Sequence, residues 1–176
     1  TTAVVVGQSV VATVAINRAV PFDVTVTLSS TNANVALPPA FVIVPAGQTA
    51  TTFAVGSRAL GLAAIAAALT GSTAQSDALR VLPVMSALQL IPTSVQGGDD
   101  GSANVVLASP LPFAITVGLV SGNPSFASVP ASITMFPGQT VGSFGISTAF
   151  TTVQRTVSIR AFYADIVPPV EGQSQR

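Results

Sequence analysis

Displaced by 91 positions, this sequence matches itself. Pro21-Phe22 falls on Pro112-Phe113, and Val24, Val26 and Leu28 fall on Ile115, Val117 and Leu119. Asn32 meets Asn123, Pro39-Ala40 meets Pro130-Ala131, and Gly47-Gln48-Thr49 meets Gly138-Gln139-Thr140. Phe53 meets Phe144, and no gap is needed between Pro21 and Phe53. Such a chain is a tandem array. The expected units are residues 1–84 and 85–176, joined near Pro83–Ala87. Beyond Val55 the register loosens by a residue or two, as a loop of variable length requires.

Within each unit the period is two. Val24, Val26 and Leu28 share one face of one segment, and Ile115, Val117 and Leu119 share one face of its copy. Strict alternation marks a strand with one buried face. Turn signals recur at short intervals: Gly97-Gly98-Asp99-Asp100-Gly101, Gly122-Asn123-Pro124 and Pro137-Gly138. Short, evenly spaced strands rich in Val, Ile and Thr predict an all-β sandwich in each unit. The Ala-rich stretch Leu60–Leu69 has helical propensity by itself. Its counterpart around Thr151–Tyr163 reads as a strand, so the repeat predicts a strand in both places.

The segment Val24–Phe53, VTVTLSSTNANVALPPAFVIVPAGQTATTF, closely resembles the immunoglobulin-like (fibronectin III-like) tandem repeats of large bacterial cell-surface proteins. Its copy, ITVGLVSGNPSFASVPASITMFPGQTVGSF, resembles them too, and ALQLIPTSVQGG is similar to the first strand and turn of such a repeat. The resemblance covers nearly the whole chain. It implies two tandem immunoglobulin-like β-sandwich domains in an extracellular, cell-surface setting. It brings no catalytic residue and no cofactor.

Composition narrows the chemistry. There is no His, Cys, Trp or Lys, and all six cations are Arg. Zinc, haem and iron–sulfur centres need Cys or His ligands. Catalysis by a His or Cys base or nucleophile is excluded with them. A net charge of zero without Lys leaves no basic footprint for nucleic acid. The longest apolar run, Ala59–Leu69, is far short of the about 20 residues a membrane span needs. No signal peptide is visible and the first residue is not Met, so the chain is expected to be a piece of something longer.

Six acids, two of them in a turn, invite chemistry. Asp99 and Asp100 are a candidate Ca²⁺ site, since Ca²⁺ takes oxygen ligands at repeat junctions. A solvated turn explains the same residues, and the first unit has Gly7-Gln8-Ser9 there, without an acid. Asp23, Asp77, Asp165 and Glu171 lie far apart, with no Trp and a lone Tyr to build a sugar platform. The chain is therefore read as a non-enzyme without cofactor.

Charged residues are only 7% of the chain, and mean hydropathy is +0.68. Alternation places Phe41, Ile43, Val106, Val120 and Phe136 on nominally outward faces. These residues are the expected self-association surface. The second unit has an opening strand at Ala87–Pro92 whose counterpart would precede Thr1. The first closes with Ser76–Leu82, whereas the second offers only IVPPVEGQSQR. Each outer end thus looks one strand short. Thr1, Thr2, Ala3, Val4, Val5 and Val6 are the candidate donor strand for a neighbour. The expected role is a structural module of a surface protein or self-assembling fibre, packing against copies of itself or adjacent repeats of a longer chain. The alternative is an adhesin or virion decoration module that binds a surface receptor through its loops.

Overall fold

The computed structural model describes residues 2–166 of the 176-residue chain. It is all strand, and the chain divides into two compact units, Thr1–Leu82 and Pro83–Arg176.

The first unit contains β1 (Thr2–Val5), β2 (Ser9–Ala15), β3 (Val24–Ser30), β4 (Ala36–Leu37), β5 (Phe41–Val44), β6 (Ala50–Ser57), β7 (Gly61–Ala63), β8 (Ile65–Leu69), β9 (Ser72–Gln75) and β10 (Leu79–Leu82). One sheet has the order β2-β6-β4 and another the order β5-β3-β8-β9. A third, β1-β10-β7, continues from β8 through Ala64. The break there is held by Thr31. Its N–H donates to the Ala64 carbonyl at 2.9 Å, and the Ala64 N–H donates to Thr31 Oγ1 at 2.9 Å. The Ala-rich stretch is therefore strand, as the repeat predicted. Its helical propensity yields to pairing with β3 and β10.

The second unit contains β11 (Met85–Ile91), β12 (Gly101–Leu107), β13 (Ile115–Ser121), β14 (Ala127–Ser128), β15 (Ser132–Met135), β16 (Val141–Thr148) and β17 (Ile159–Tyr163). The sheets are β11-β12-β16-β14 and β15-β13-β17. The two units share a register. Ser9 opposes Gly56 in the first and Asp100–Gly101 begin the same ladder in the second, where Gly101 opposes Ile146. β5 opposes β3 as β15 opposes β13. After β16 the offset grows. Ser30 opposes Ile65 and Ser121 opposes Ile159, so the last strand is displaced by 94 positions.

Alternation sets the core. Val26, Leu28 and Val44 are buried in the first unit, and Ile115, Val117, Leu119 and Met135 in the second. The hairpin turns repeat as well. Gln48 N–H donates to the Pro45 carbonyl and Gln139 N–H to the Phe136 carbonyl. Gly47 and Gly138 hold φ of 78° and 83° at the third turn position, the conformation a type II turn reserves for Gly.

One expectation is corrected here. The segment proposed as a free donor strand is already paired within its own unit. Thr2–Val5 runs parallel to Leu79–Leu82, Ala3 and Val4 are buried, and Val6 N–H donates to the Leu82 carbonyl. Apolar burial and a strand partner in the same unit outcompete an external one. Thr1 lies outside the described residues, as does the expected closing region of the second unit beyond Ile166. The missing opening strand is a narrower feature: among the described residues, β2 has no partner on its outer edge, whereas its counterpart β12 is paired with β11.

Tyr163 supplies a stability probe. It is 2% exposed, and its hydroxyl donates to the Pro83 carbonyl at 2.8 Å. Burial pushes its phenol well above the ordinary value. Folded protein therefore keeps a proton that unfolded protein loses above about pH 10, and stability falls as pH rises through that range. With no Lys, Cys or His, this is the side chain expected to report alkaline unfolding. Urea midpoints from about pH 8 to 11 should fall for the wild type and stay flat for Tyr163→Phe. The same substitution should cost about 1–3 kcal/mol near neutrality, by leaving the Pro83 carbonyl unpaired. A parallel alkaline decline in both proteins would show that Tyr163 is not the titrating group.

Candidate functional site

The outward apolar residues fall in separate places. Phe41 and Ile43 lie on edge strand β5, 56% and 44% exposed, opposite Thr27 and Thr25. They form one apolar pair on one face. In the second unit Phe136 and Val120 are exposed, but Met135 opposes Ile115, so they sit toward opposite ends of β13. Val106 is half-buried on the other sheet, between Ala87 and Val141. Alternation did not reveal Val11, Phe22, Phe150 and Val153, all more than half exposed. Val11 follows the same outward rule on β2. The other three lie outside strands, where alternation carries no information.

Of the acidic positions, Asp23 has a structural role. Asp23 Oδ1 accepts from the Ala46 N–H at 2.9 Å and pins the turn before Gly47. At the Asp99-Asp100 turn the contacts run through backbone. Thr148 Oγ1 accepts from Gly98 N–H and donates to the Asp99 carbonyl at 2.7 Å. Among the described residues no group of three or more His, Cys, Asp or Glu side chains comes together to hold a metal. Glu171 lies outside them.

One concavity was not expected from sequence. It is a cavity of about 540 Å³ in the second unit, lined among others by Val95, Phe126, Ala127, Ile146, Val157 and Ile159. The shared register identifies it. These six are the counterparts of Val4, Val35, Ala36, Val55, Ala63 and Ile65. Those six form one buried cluster in the first unit, together with Leu79 and Val81 of β10. Five of the six counterparts are more open, Ile159 being the exception at 4% against 8% for Ile65. Val4 is 7% exposed and Val95 36%; Val55 is 1% exposed and Ile146 9%. Arg155 lies at the rim, its guanidinium 5.1 Å from the centre of the Phe126 ring.

Among the described residues, the edge beside the cavity is open too. Gly122 N–H donates to the Ser158 carbonyl and Ala164 N–H to the Thr116 carbonyl, so even-numbered residues of this segment bond toward β13. By antiparallel alternation, Ile159 and Ala161 turn their N–H and C=O groups to the other side. There, among the described residues, β17 has no strand neighbour. Ile65, the counterpart of Ile159, has both groups satisfied by Ser76, whose N–H donates to its carbonyl and whose Oγ accepts from its N–H.

No family model matches the chain, and no curated protein matches it. Solved structures do. The C-terminal 282-residue fragment of intimin, solved in complex with the intimin-binding domain of the translocated intimin receptor, is 15% identical. The match covers 94% of this chain and 58% of that one, with a TM-score of 0.56. This chain thus spans under two thirds of that fragment. The D0-D1 domain of intimin is 12% identical over 98% of this chain and 92% of its own, TM-score 0.40. Domains 5–6 of the S-layer protein SbsC are 15% identical over 97% and 90%, TM-score 0.38.

The contrast between the two units is measurable. Val4→Ala should destabilise by about 1–2 kcal/mol, as burial of a Val side chain implies. Val95→Ala should stay within about 0.5 kcal/mol. Equal losses in chemical denaturation would mean that the cavity is as well closed as its counterpart.

Proposed function

We propose that this chain, which has the immunoglobulin-like β-sandwich fold, is a non-catalytic structural module of an extracellular bacterial surface protein or fibre, with residues 1–84 and 85–176 as its two repeats. It works by spacing and packing, against copies of itself or adjacent repeats. The observation that carries this reading is the apolar pair Phe41 and Ile43, exposed on an edge strand of a chain with 7% charged residues. Exposed apolar surface of this kind, with little charge to oppose association, favours burial against a second surface. Phe136 and Val120 extend the same tendency to the second unit. The absence of His and Cys from the sequence supports the non-catalytic role.

A receptor-binding role is less well supported. Loops that bind protein receptors lean on Tyr, Trp and Arg anchors; here Arg18, Arg58 and Arg155 lie in loops, but the sequence has no Trp and its one Tyr, Tyr163, is buried in β17.

Sedimentation velocity over a concentration series tests the packing role. The wild-type chain should self-associate, and Phe41→Ser with Ile43→Ser should weaken association by about tenfold or more, a change of about 1.4 kcal/mol. A wild-type chain that stays monomeric at every concentration would leave the chain as a passive spacer.

A further inference from the structure

We infer that the outer face of the β5-β3-β8-β9 sheet binds the same face of a second copy of this chain, about a two-fold axis that sets Phe41 of each copy on Ala66 and Ala68 of the other. This deepens the packing role above and rests on it: it names the partner, the face and the register.

Strand pairing defines the face. Phe41 opposes Thr27, Thr27 opposes Ala68 and Ala68 opposes Thr73, so one row crosses all four strands. Ser29, Ala66 and Gln75 form the row on one side of it, and Thr25 with Ile43 the row on the other. Val26 and Leu28 are buried and Ala67 packs against them, so the residues between them point outward. None of the four strands carries a charged residue. A charged partner would bury its charges unpaired against this face, whereas an uncharged copy of it would not.

Bulk is unevenly spread over the face, and the second unit shows how such a surface is covered. There the counterparts of Phe41, Thr27 and Ala68 are Ser132, Gly118 and Phe162, again in one row. The Phe162 ring lies on Gly118, so closely that a Cβ there would run into it, and Phe162 is half-buried. An aromatic ring thus rests on a small residue within one face. In the first unit the two halves of that arrangement are apart. The ring is on β5, beside Thr27, which has the branched Cβ that Gly118 lacks, and Phe41 stays exposed. The small residues Ala66 and Ala68 are on β8, two strands from Phe41. Strands lie about 4.8 Å apart, so the ring is about 10 Å from them across the sheet.

A second copy closes that gap. Rotation about a two-fold axis along β3, in the plane of contact, lays β5 of each copy over β8 of the other and keeps every row at its own height. Phe41 then faces Ala68, large against small, as sheets packed about 10 Å apart require. The symmetry makes the contact twice, with the same patch on both copies. Four strands and about six residues of length cover about 400 Å². That is about half the area per partner of a standard interface, so the contact is weak and reversible.

Sedimentation velocity with two full-chain variants tests the pairing. Phe41→Arg and Ala68→Glu should each weaken self-association by about tenfold or more. Mixed in equal amounts, they should recover most of it, because one Phe41–Ala68 contact returns and the new cation meets the new carboxylate. Register is read by linking a Phe41→Cys chain to an Ala68→Cys chain with a short bis-maleimide, which is clean because the chain has no Cys. Facing sheets are too far apart for a disulfide. The mixed pair should link about tenfold faster than Phe41→Cys chains link to each other. Equal rates overturn the inference, since aromatic would then face aromatic, and so does a mixture that recovers nothing. If Ala68→Glu does not fold, the linking rates alone decide. Association that survives Ala68→Glu but is lost in the Phe41→Ser, Ile43→Ser chain overturns this pairing and leaves the packing role standing. A wild-type chain that stays monomeric ends the packing role itself, and the pairing with it.

Discussion

With no helix among the described residues, buried backbone N–H and C=O groups depend on strand ladders and turns for their partners. That constraint makes the outermost strands decisive. In the first unit β10 satisfies two neighbours at once, β1 on one side and β7 on the other, while its Leu79 and Val81 close the core beneath. In the second unit the equivalent demand is met at the opposite rim. There β11 covers the edge of β12 through six opposed positions. Pro83 caps the same end by accepting the Tyr163 hydroxyl. Among the described residues the units are thus complementary in what they complete: one covers its closing edge, the other its opening edge.

The same complementarity accounts for the second concavity. In the first unit a cavity of about 420 Å³ is lined by Val14, Val20, Phe22, Ala67 and Leu69. The counterparts of Val20, Ala67 and Leu69 are Leu111, Ala161 and Tyr163, all 4% exposed or less. Two changes explain the difference. Leu69 is replaced by the larger Tyr163, and the segment that carries Pro83 and β11 lies over that end. Where a strand and its anchoring side chain are both present, the sandwich is filled. Where they are not, a cavity opens at the matching position.

Most of the framework was legible because it is local. Alternation over seven residues identifies β3 and β13 and orients each side chain, and the 91-residue offset aligns their partners without reference to structure. It also overrode the helical leaning of the Ala-rich stretch. Three features were not legible. The parallel pairing of Thr2–Val5 with Leu79–Leu82 joins segments far apart in sequence, and a four-residue strand leaves too little pattern to announce its partner. The shift from 91 to 94 lies in a loop, where length carries no periodic signal. The cavity lies in the second unit at the counterpart of that pairing, so it could not be read before the pairing was known. The exposed pair Phe41 and Ile43, by contrast, follows from alternation alone.

The edges divide by length, and the division bears on how surfaces of this chain meet others. β5 and β15 are edge strands of four residues, each followed at once by a turn with Gly in a left-handed conformation. A short edge offers few ladder bonds, which is how sheet proteins blunt edge-to-edge pairing. Contact at β5 therefore runs through the side chains of Phe41 and Ile43, across the sheet face. β2 is different: seven residues long, without Pro or charge, and with Val11 72% exposed. It presents a continuous row of backbone groups, with few of the features that protect edges elsewhere. Its counterpart β12 meets the same demand with β11. A strand laid along β2 in the manner of β11 would satisfy that edge and cover the end of the sandwich where the 420 Å³ cavity lies. Face contacts and edge contacts are thus assigned to different strands, and a substitution on one is not expected to disturb the other.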